Sequence, residues 1–269
     1  MTPESKSSAV SGVIFDIKEF ALNDGDGIRT TVFFKGCPLR CAWCHNPEGL
    51  DPRPELYIKQ NGCLDCGLCR RGCSHPECRP FGRCLHICPK NLVTVKGEIW
   101  EASALANRLL RGSDLLRASG GGVTLSGGEP LLQADFAAAL LDQLSGKVHL
   151  AIETSGYADP AVFQKVITRC DFVYMDLKLA DPTAHKRWTN VSNERILANA
   201  RWLKESGIPH TFRTPLIPNI VDTPTNLAAL QSIVGSDAWE HLPNNTLAPA
   251  KYKSVGREWI LPIANKGSC

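Results

Sequence analysis

Apolar and polar positions change rhythm twice along the chain. Residues 13–20 and 30–35 are runs of β-branched and aromatic side chains, which predict strands. Residues 46–97 are rich in Pro, Gly and Cys with little periodicity, which predicts an insert organised around metal rather than an apolar core. From about residue 98 the pattern alternates regularly. It predicts helix 101–111, strand 122–126, helix 134–145, strand 147–153, helix 160–168 and strand 171–176. It continues with helix 193–205, capped by Asn193 and stopped by Gly207, then strand 210–217, helix 224–234 and strand 238–243. Short apolar strands alternating with amphipathic helices argue for βα units and a parallel sheet, here of about six strands counting 30–35. In such sheets the loops after the strand C-termini carry the chemistry.

Composition narrows this picture. Of 269 residues 43% are hydrophobic and the formal net charge is +3, so a sizeable core is available and disorder, collagen and coiled coil are excluded. The charge is too small, and too evenly spread, to announce a nucleic-acid partner. Residues 1–12 are polar, and no segment approaches the roughly 18 apolar residues of a membrane span, so a cytoplasmic chain without membrane contact is expected. Twelve cysteines then become informative, because thiols stay reduced in a cytosol and signal metal or catalysis there. Ten of them lie between residues 37 and 88; Cys170 reads as a small buried apolar residue and Cys269 as a flexible terminal thiol.

The first cysteine group follows a predicted strand: Gly36-Cys37-Pro-Leu-Arg-Cys41-Ala-Trp-Cys44-His45-Asn46. Three thiolates on one tight loop suit zinc or an iron–sulfur cluster, and three ligands leave one position open for a substrate. This run resembles the cluster loop of radical S-adenosylmethionine (SAM) enzymes. The longer stretch Asn23-Asp-Gly-Asp-Gly-Ile-Arg29 through Cys37 is similar to the signature of glycyl-radical-enzyme activating enzymes such as those of pyruvate formate-lyase. The resemblance implies that Cys37, Cys41 and Cys44 hold three irons of a [4Fe-4S] cluster whose fourth, open iron chelates the amino and carboxylate groups of SAM. An electron from that cluster would cleave SAM to methionine and a 5′-deoxyadenosyl radical. Trp43 and His45 would shield the cluster, contact SAM or simply pack at the barrel mouth.

The later strand ends extend the resemblance. Ser126-Gly127-Gly128-Glu129-Pro130 is similar to the family loop that receives the SAM amino group, its glycines permitting close backbone approach. Glu153-Thr154 and Asp176-Leu-Lys178 are similar to strand-end motifs that contact SAM, with a monovalent cation beside its carboxylate. Asp176 and Lys178 share a face of an extended chain, and a plain ion pair is the other reading. Arg213 matches a family arginine at the SAM site. Asn245 stands where many members carry histidine, which puts its SAM contact in doubt.

In the insert, Cys63-x2-Cys66-x2-Cys69-x3-Cys73 has the spacing of a bacterial ferredoxin half-motif, and Cys78-x5-Cys84-x3-Cys88-Pro89 is a second half with Phe81 in a cysteine position. Ferredoxin pairing puts Cys63, Cys66, Cys69 and Cys88 around one auxiliary [4Fe-4S] cluster. It leaves Cys73, Cys78 and Cys84 as three thiolates for a [3Fe-4S] cluster, a [4Fe-4S] cluster with an unusual ligand such as His75, or a relic. A zinc knuckle is the competing reading of the whole insert.

Together these readings predict an α/β chain: N-terminal strands and cluster loop over 1–45, a ferredoxin-like iron–sulfur insert over 46–97, and the remainder of a partial (β/α)6 radical SAM barrel over 98–269. The resemblance implies an anaerobic oxidoreductase that abstracts a Cα hydrogen from a glycine of a partner glycyl radical enzyme. Its electron donor would be a flavodoxin or ferredoxin, and a monomer is the default. Two alternatives stand beside it: a radical SAM enzyme acting on a small molecule, and a non-catalytic iron–sulfur electron-transfer protein.

Overall fold

The computed structural model of the protein describes residues 9–245 and 247–261, so Cys269 lies outside the described residues. The chain begins with β1 (Ser11–Ala21), antiparallel to β2 (Arg29–Phe34). A small ribbon of β3 (Glu55–Ile58) and β4 (Val93–Lys96) carries the cysteine-rich segment between its strands. β5 (Glu98–Glu101) then returns to the free edge of β1. The remainder runs α1 (Ala102–Leu110), α2 (Ser113–Ala118), β6 (Gly122–Gly127), α3 (Ala134–Leu144), β7 (His149–Thr154), α4 (Pro160–Ile167) and β8 (Phe172–Asp176). It closes with α5 (Pro182–Thr189), α6 (Glu194–Ser206), β9 (His210–Leu216), α7 (Pro224–Val234), β10 (Trp239–Pro243) and α8 (Ala248–Ser254).

The main sheet has the order β10-β9-β8-β7-β6-β2-β1-β5. Its six strands from β2 to β10 are mutually parallel and, in that arc, follow chain order, which is the topology of a partial (β/α)6 barrel. Strand side chains alternate between faces. One set, including Val32, Phe34, Val123, Leu125, Ile152, Val173, Met175 and Phe212, joins the buried core together with residues of α1, α3, α4, α6 and α7. The alternate set includes the polar residues Thr31, Thr124, Ser126, Glu153, Asp176 and Arg213. The helices therefore cover the apolar face and leave the concave face lined with hydrogen-bonding groups.

Several boundaries differ from the sequence expectation. The helix expected over 101–111 ends at Leu110 and is followed by a separate short helix, α2, because Gly112 interrupts it. Asn193 does stand at the N-terminus of α6, yet its side chain caps nothing there. Its Nδ2 donates instead to the Leu179 and Ala180 carbonyls at 2.9 and 2.8 Å, tying down the loop after β8. The segment expected to open the insert is partly barrel: Pro47, Glu48, Gly49 and Leu50 are buried. Lys35, fully buried, donates from Nζ to the Glu48 carbonyl at 2.7 Å and to Glu55 at 2.8 Å, so this stretch is bolted to the end of β2.

Candidate active site

The loop after β2 carries Cys37, Cys41 and Cys44. It is seated by Arg40 N–H and Ala42 N–H donating to the Thr189 and Trp188 carbonyls at 2.8 and 3.0 Å, at the C-terminal end of α5. Trp43 is buried, in a small apolar cluster with Ala42, Leu179, Ile217 and Val221, while His45 is exposed. Burial pushes all three thiols above their ordinary value, Cys41 to about 12. Lys178 sits beside Cys41. Burial would lower the pKa of its ammonium, but Asp176 foremost and the Cys41 sulfur behind it raise it overall, and its Nζ lies 2.7 Å from Asp176 Oδ2. The two residues thus form the ion pair their spacing allowed.

The loop after β6 approaches β2 closely. Gly128 N–H donates to the Phe34 carbonyl and Glu129 N–H to that of Gly36, both at 2.8 Å. A Cβ on Gly127 would lie 2.3 Å from the Phe34 nitrogen, and one on Gly128 2.2 Å from the Gly36 oxygen. The glycines are thus required by the protein's own backbone. Glu129 is turned inward and buried. Its Oε1 accepts from Thr154 Oγ1 at 2.6 Å and Leu131 N–H at 3.2 Å, and its Oε2 from Ser155 N–H at 2.8 Å and Ser155 Oγ at 2.5 Å. Burial nevertheless raises its pKa.

Deeper on the concave face, Glu153 accepts from Arg213 Nη1 at 2.6 Å and from Ser126 Oγ at 2.5 Å. Arg213 also donates from Nε to Glu240 at 2.9 Å and stacks over Tyr174, with Cζ 3.7 Å from the ring centre. Below this layer, Arg29 is 1% exposed and donates to Thr124 Oγ1 at 2.6 Å and to the Val123 carbonyl at 2.9 Å. Asp24 accepts from Thr31 Oγ1 at 2.5 Å, so the residues 23–29 fold beneath the sheet as its floor. Asn245 is exposed, and its Oδ1 accepts from Leu247 N–H at 2.9 Å in the turn before α8. Cys170 is buried, as expected.

Sequence reasoning missed α5, which seats the cluster loop, and Glu240, which completes the bridge at Arg213. The signal for α5 was present: Asp181 accepts from Ala184 N–H at 2.7 Å as N-cap and Pro182 occupies the first turn.

The three thiols suit a cubane. Groups of three His, Cys or carboxylate ligands within 4.8 Å of one another, the spacing of a single ion, are confined among the described residues to Cys73–Cys78–Cys84 and His75–Cys78–His86. Cys37, Cys41 and Cys44 form no such close group. Residues 31–228 match the model of the radical SAM superfamily. The chain belongs to that superfamily, among its glycyl-radical-enzyme activating enzymes. It is 32% identical over 288 residues to the indoleacetate decarboxylase activating enzyme of Tractidigestivibacter scatoligenes, covering 96% of this chain and 91% of that one. It is 36% identical over 252 residues to the pyruvate formate-lyase 2-activating enzyme of Escherichia coli (strain K12), covering 92% and 82%. In fold it resembles Streptococcus suis SuiB bound to precursor peptide SuiA, with a TM-score of 0.54, 12% identity, and coverage of 81% of this chain and 39% of that one. Membership brings with it a [4Fe-4S] cluster and SAM. No described helix is long and apolar enough to cross a membrane.

Proposed function

We propose that this radical SAM enzyme installs a radical on the backbone of a glycyl radical enzyme, with Cys37, Cys41 and Cys44 as the cluster ligands and the polar concave face as the SAM site. When bound, the cluster supplies one electron to SAM, giving methionine and a 5′-deoxyadenosyl radical that takes a hydrogen atom from the Cα of a glycine. The observation that carries the reading is a juxtaposition. The three-thiol loop follows β2 and the Asp176–Lys178 pair lies at the end of β8, with Cys41 and Lys178 beside one another, while the Glu153–Arg213–Glu240 bridge lies deeper on the same concave face.

In this reading Lys178 and Arg213 offer positive charge to the SAM carboxylate and Glu153 and Asp176 negative charge to its amino and sulfonium groups. A monovalent cation beside Asp176 belongs to the same proposal. Glu129, with all its acceptors engaged, holds the loop of Gly127 and Gly128 against Thr154 and Ser155 and so acts as a positioning residue. Asn245 stands at the rim. Trp43 anchors the cluster loop from behind.

In the insert, Cys63, Cys66, Cys69 and Cys88 line one cavity of about 990 Å³, which supports an auxiliary [4Fe-4S] cluster there, fed by a flavodoxin or ferredoxin. A monomer that meets its protein substrate transiently fits the open mouth. The test is anaerobic: the iron-loaded chain, SAM and dithionite, with 5′-deoxyadenosine quantified against Cys41→Ala. Product that depends on Cys41, and a glycine-centred doublet in the electron paramagnetic resonance of an added partner enzyme, would support the proposal. A cluster-loaded chain that makes no product would favour the electron-transfer alternative.

A further inference from the structure

The second half of the insert does not resemble the first in geometry. Cys73, Cys78 and Cys84 have their sulfurs within 4.8 Å of one another, whereas neither Cys37–Cys41–Cys44 nor the group Cys63, Cys66, Cys69 and Cys88 contains such a triad. That difference separates two kinds of metal chemistry. Thiolates of a cubane sit on different irons and are pushed apart by the iron–iron spacing. Thiolates on one tetrahedral ion, with metal–sulfur bonds of about 2.3 Å, lie about 4 Å from each other.

The same place holds two imidazoles. His75, Cys78 and His86 form a second group within 4.8 Å, with Cys78, fully buried, as the corner common to both. The His86 Nε2 lies 3.2 Å from Glu77 Oε2, the arrangement in which a carboxylate fixes one ring nitrogen and leaves the other for a metal. Leu85 N–H donates to Cys78 Sγ at 3.4 Å, and Cys84 N–H to the Arg71 carbonyl at 3.0 Å, so the Cys78 sulfur and the Cys84 main chain are held by backbone. Phe81, in the position where a ferredoxin half-motif carries its missing cysteine, lines the neighbouring cavity of the other four thiols.

We propose that Cys73, Cys78 and Cys84 form a mononuclear site for a thiophilic divalent ion of the zinc type, with His86, grouped with Cys78 but not with the other two sulfurs, turning in to take the fourth position. Binding exchanges three thiol protons for one ion and involves no electron transfer, because zinc has a filled d shell. The insert would then contain one redox centre and one inert staple, so electrons crossing it would use only the cluster at Cys63, Cys66, Cys69 and Cys88.

The test is metal and sulfide analysis of the full chain purified anaerobically from cells supplied with both iron and zinc. The expected result is about one zinc per chain beside about eight irons and eight sulfides, two cubanes in all. His86 is exposed, so His86→Ala should fold; it should lose zinc to a chelator at least about tenfold faster with iron unchanged. Cys84→Ser should lower zinc and leave iron, and Cys63→Ala should lower iron and leave zinc. A parent chain without zinc, or zinc that survives in Cys84→Ser, or about four irons lost in Cys84→Ser, would overturn the assignment. The zinc readout does not depend on SAM cleavage.

Discussion

Glu129→Gln separates a carboxylate that touches SAM from one that only holds the loop after β6. The carboxylate is 1% exposed and accepts four hydrogen bonds. Glutamine keeps one oxygen, enough for Thr154 Oγ1 and Leu131 N–H. Its amide nitrogen then faces Ser155 N–H, now 2.8 Å from Oε2, and that backbone donor cannot turn away. Ser155 Oγ can rotate to accept. The substitution therefore strands one buried donor, at about 1–3 kcal/mol, and removes charge assistance from the bonds that remain. Relief of a buried charge offsets part of that loss, since burial already raises the Glu129 pKa. The net expectation is about 2 kcal/mol, or a melting temperature lower by about 4 °C for a chain of this size. Thermal melting at matched iron content measures the first quantity, and the KM for SAM, taken well below the transition, should stay within about twofold. A variant that melts within about 1 °C of the parent while its KM rises about tenfold would refute the positioning role and put the carboxylate on SAM.

Three further outcomes follow from the geometry. Gly128→Ala would place a Cβ 2.2 Å from the Gly36 oxygen and 2.5 Å from the Gly49 oxygen, both backbone atoms; the loop must move, at a cost of about 3 kcal/mol, read as lower soluble yield and iron content. Arg213→Lys cannot serve Glu153 and Glu240 together while stacking on Tyr174, and should destabilise the chain by about 3 kcal/mol in a urea titration, with Arg213→Ala worse. Burial lowers the pKa of His185, so the folded chain binds fewer protons there than the unfolded chain, whose histidines titrate near about pH 6.5. Stability should therefore fall with pH below that point, by up to about 1.4 kcal/mol per unit, and the slope should be shallower in His185→Gln.

The parallel sheet was legible because its strands are uniformly apolar on the helix side and its helices are amphipathic over 8–13 residues. The short ribbon of β3 and β4 was not, since its residues are only partly buried and lack a clean alternation. α5 escaped because Pro182–Thr189 is mostly polar and buries only His185 and Thr189, so periodicity gave no stripe and only the Asp181–Pro182 start signal remained. At the site, residue identities at the strand ends could be read from spacing, but their roles could not. Gly127 and Gly128 face backbone of the same chain, and Asp24 and Arg29 build a floor. The division of the insert cysteines into a group of four and a group of three follows from ferredoxin spacing. The closeness of the second group, and the place of His86 beside it, exist only in three dimensions.

The seat of the cluster loop has a temporal side. Cys44 leaves the ribosome long before Trp188 and Thr189, whose carbonyls hold the loop. At about 5–20 residues per second, synthesis of the intervening stretch takes on the order of ten seconds. Through that interval the three thiols hang from a nascent chain in water, where they titrate as ordinary cysteines and are open to oxidants. The burial that later raises their pKa also ends that exposure. Cells making this protein must therefore keep the loop reduced and free of stray metal until about two thirds of the chain has emerged, and deliver iron and sulfide to a nearly finished fold.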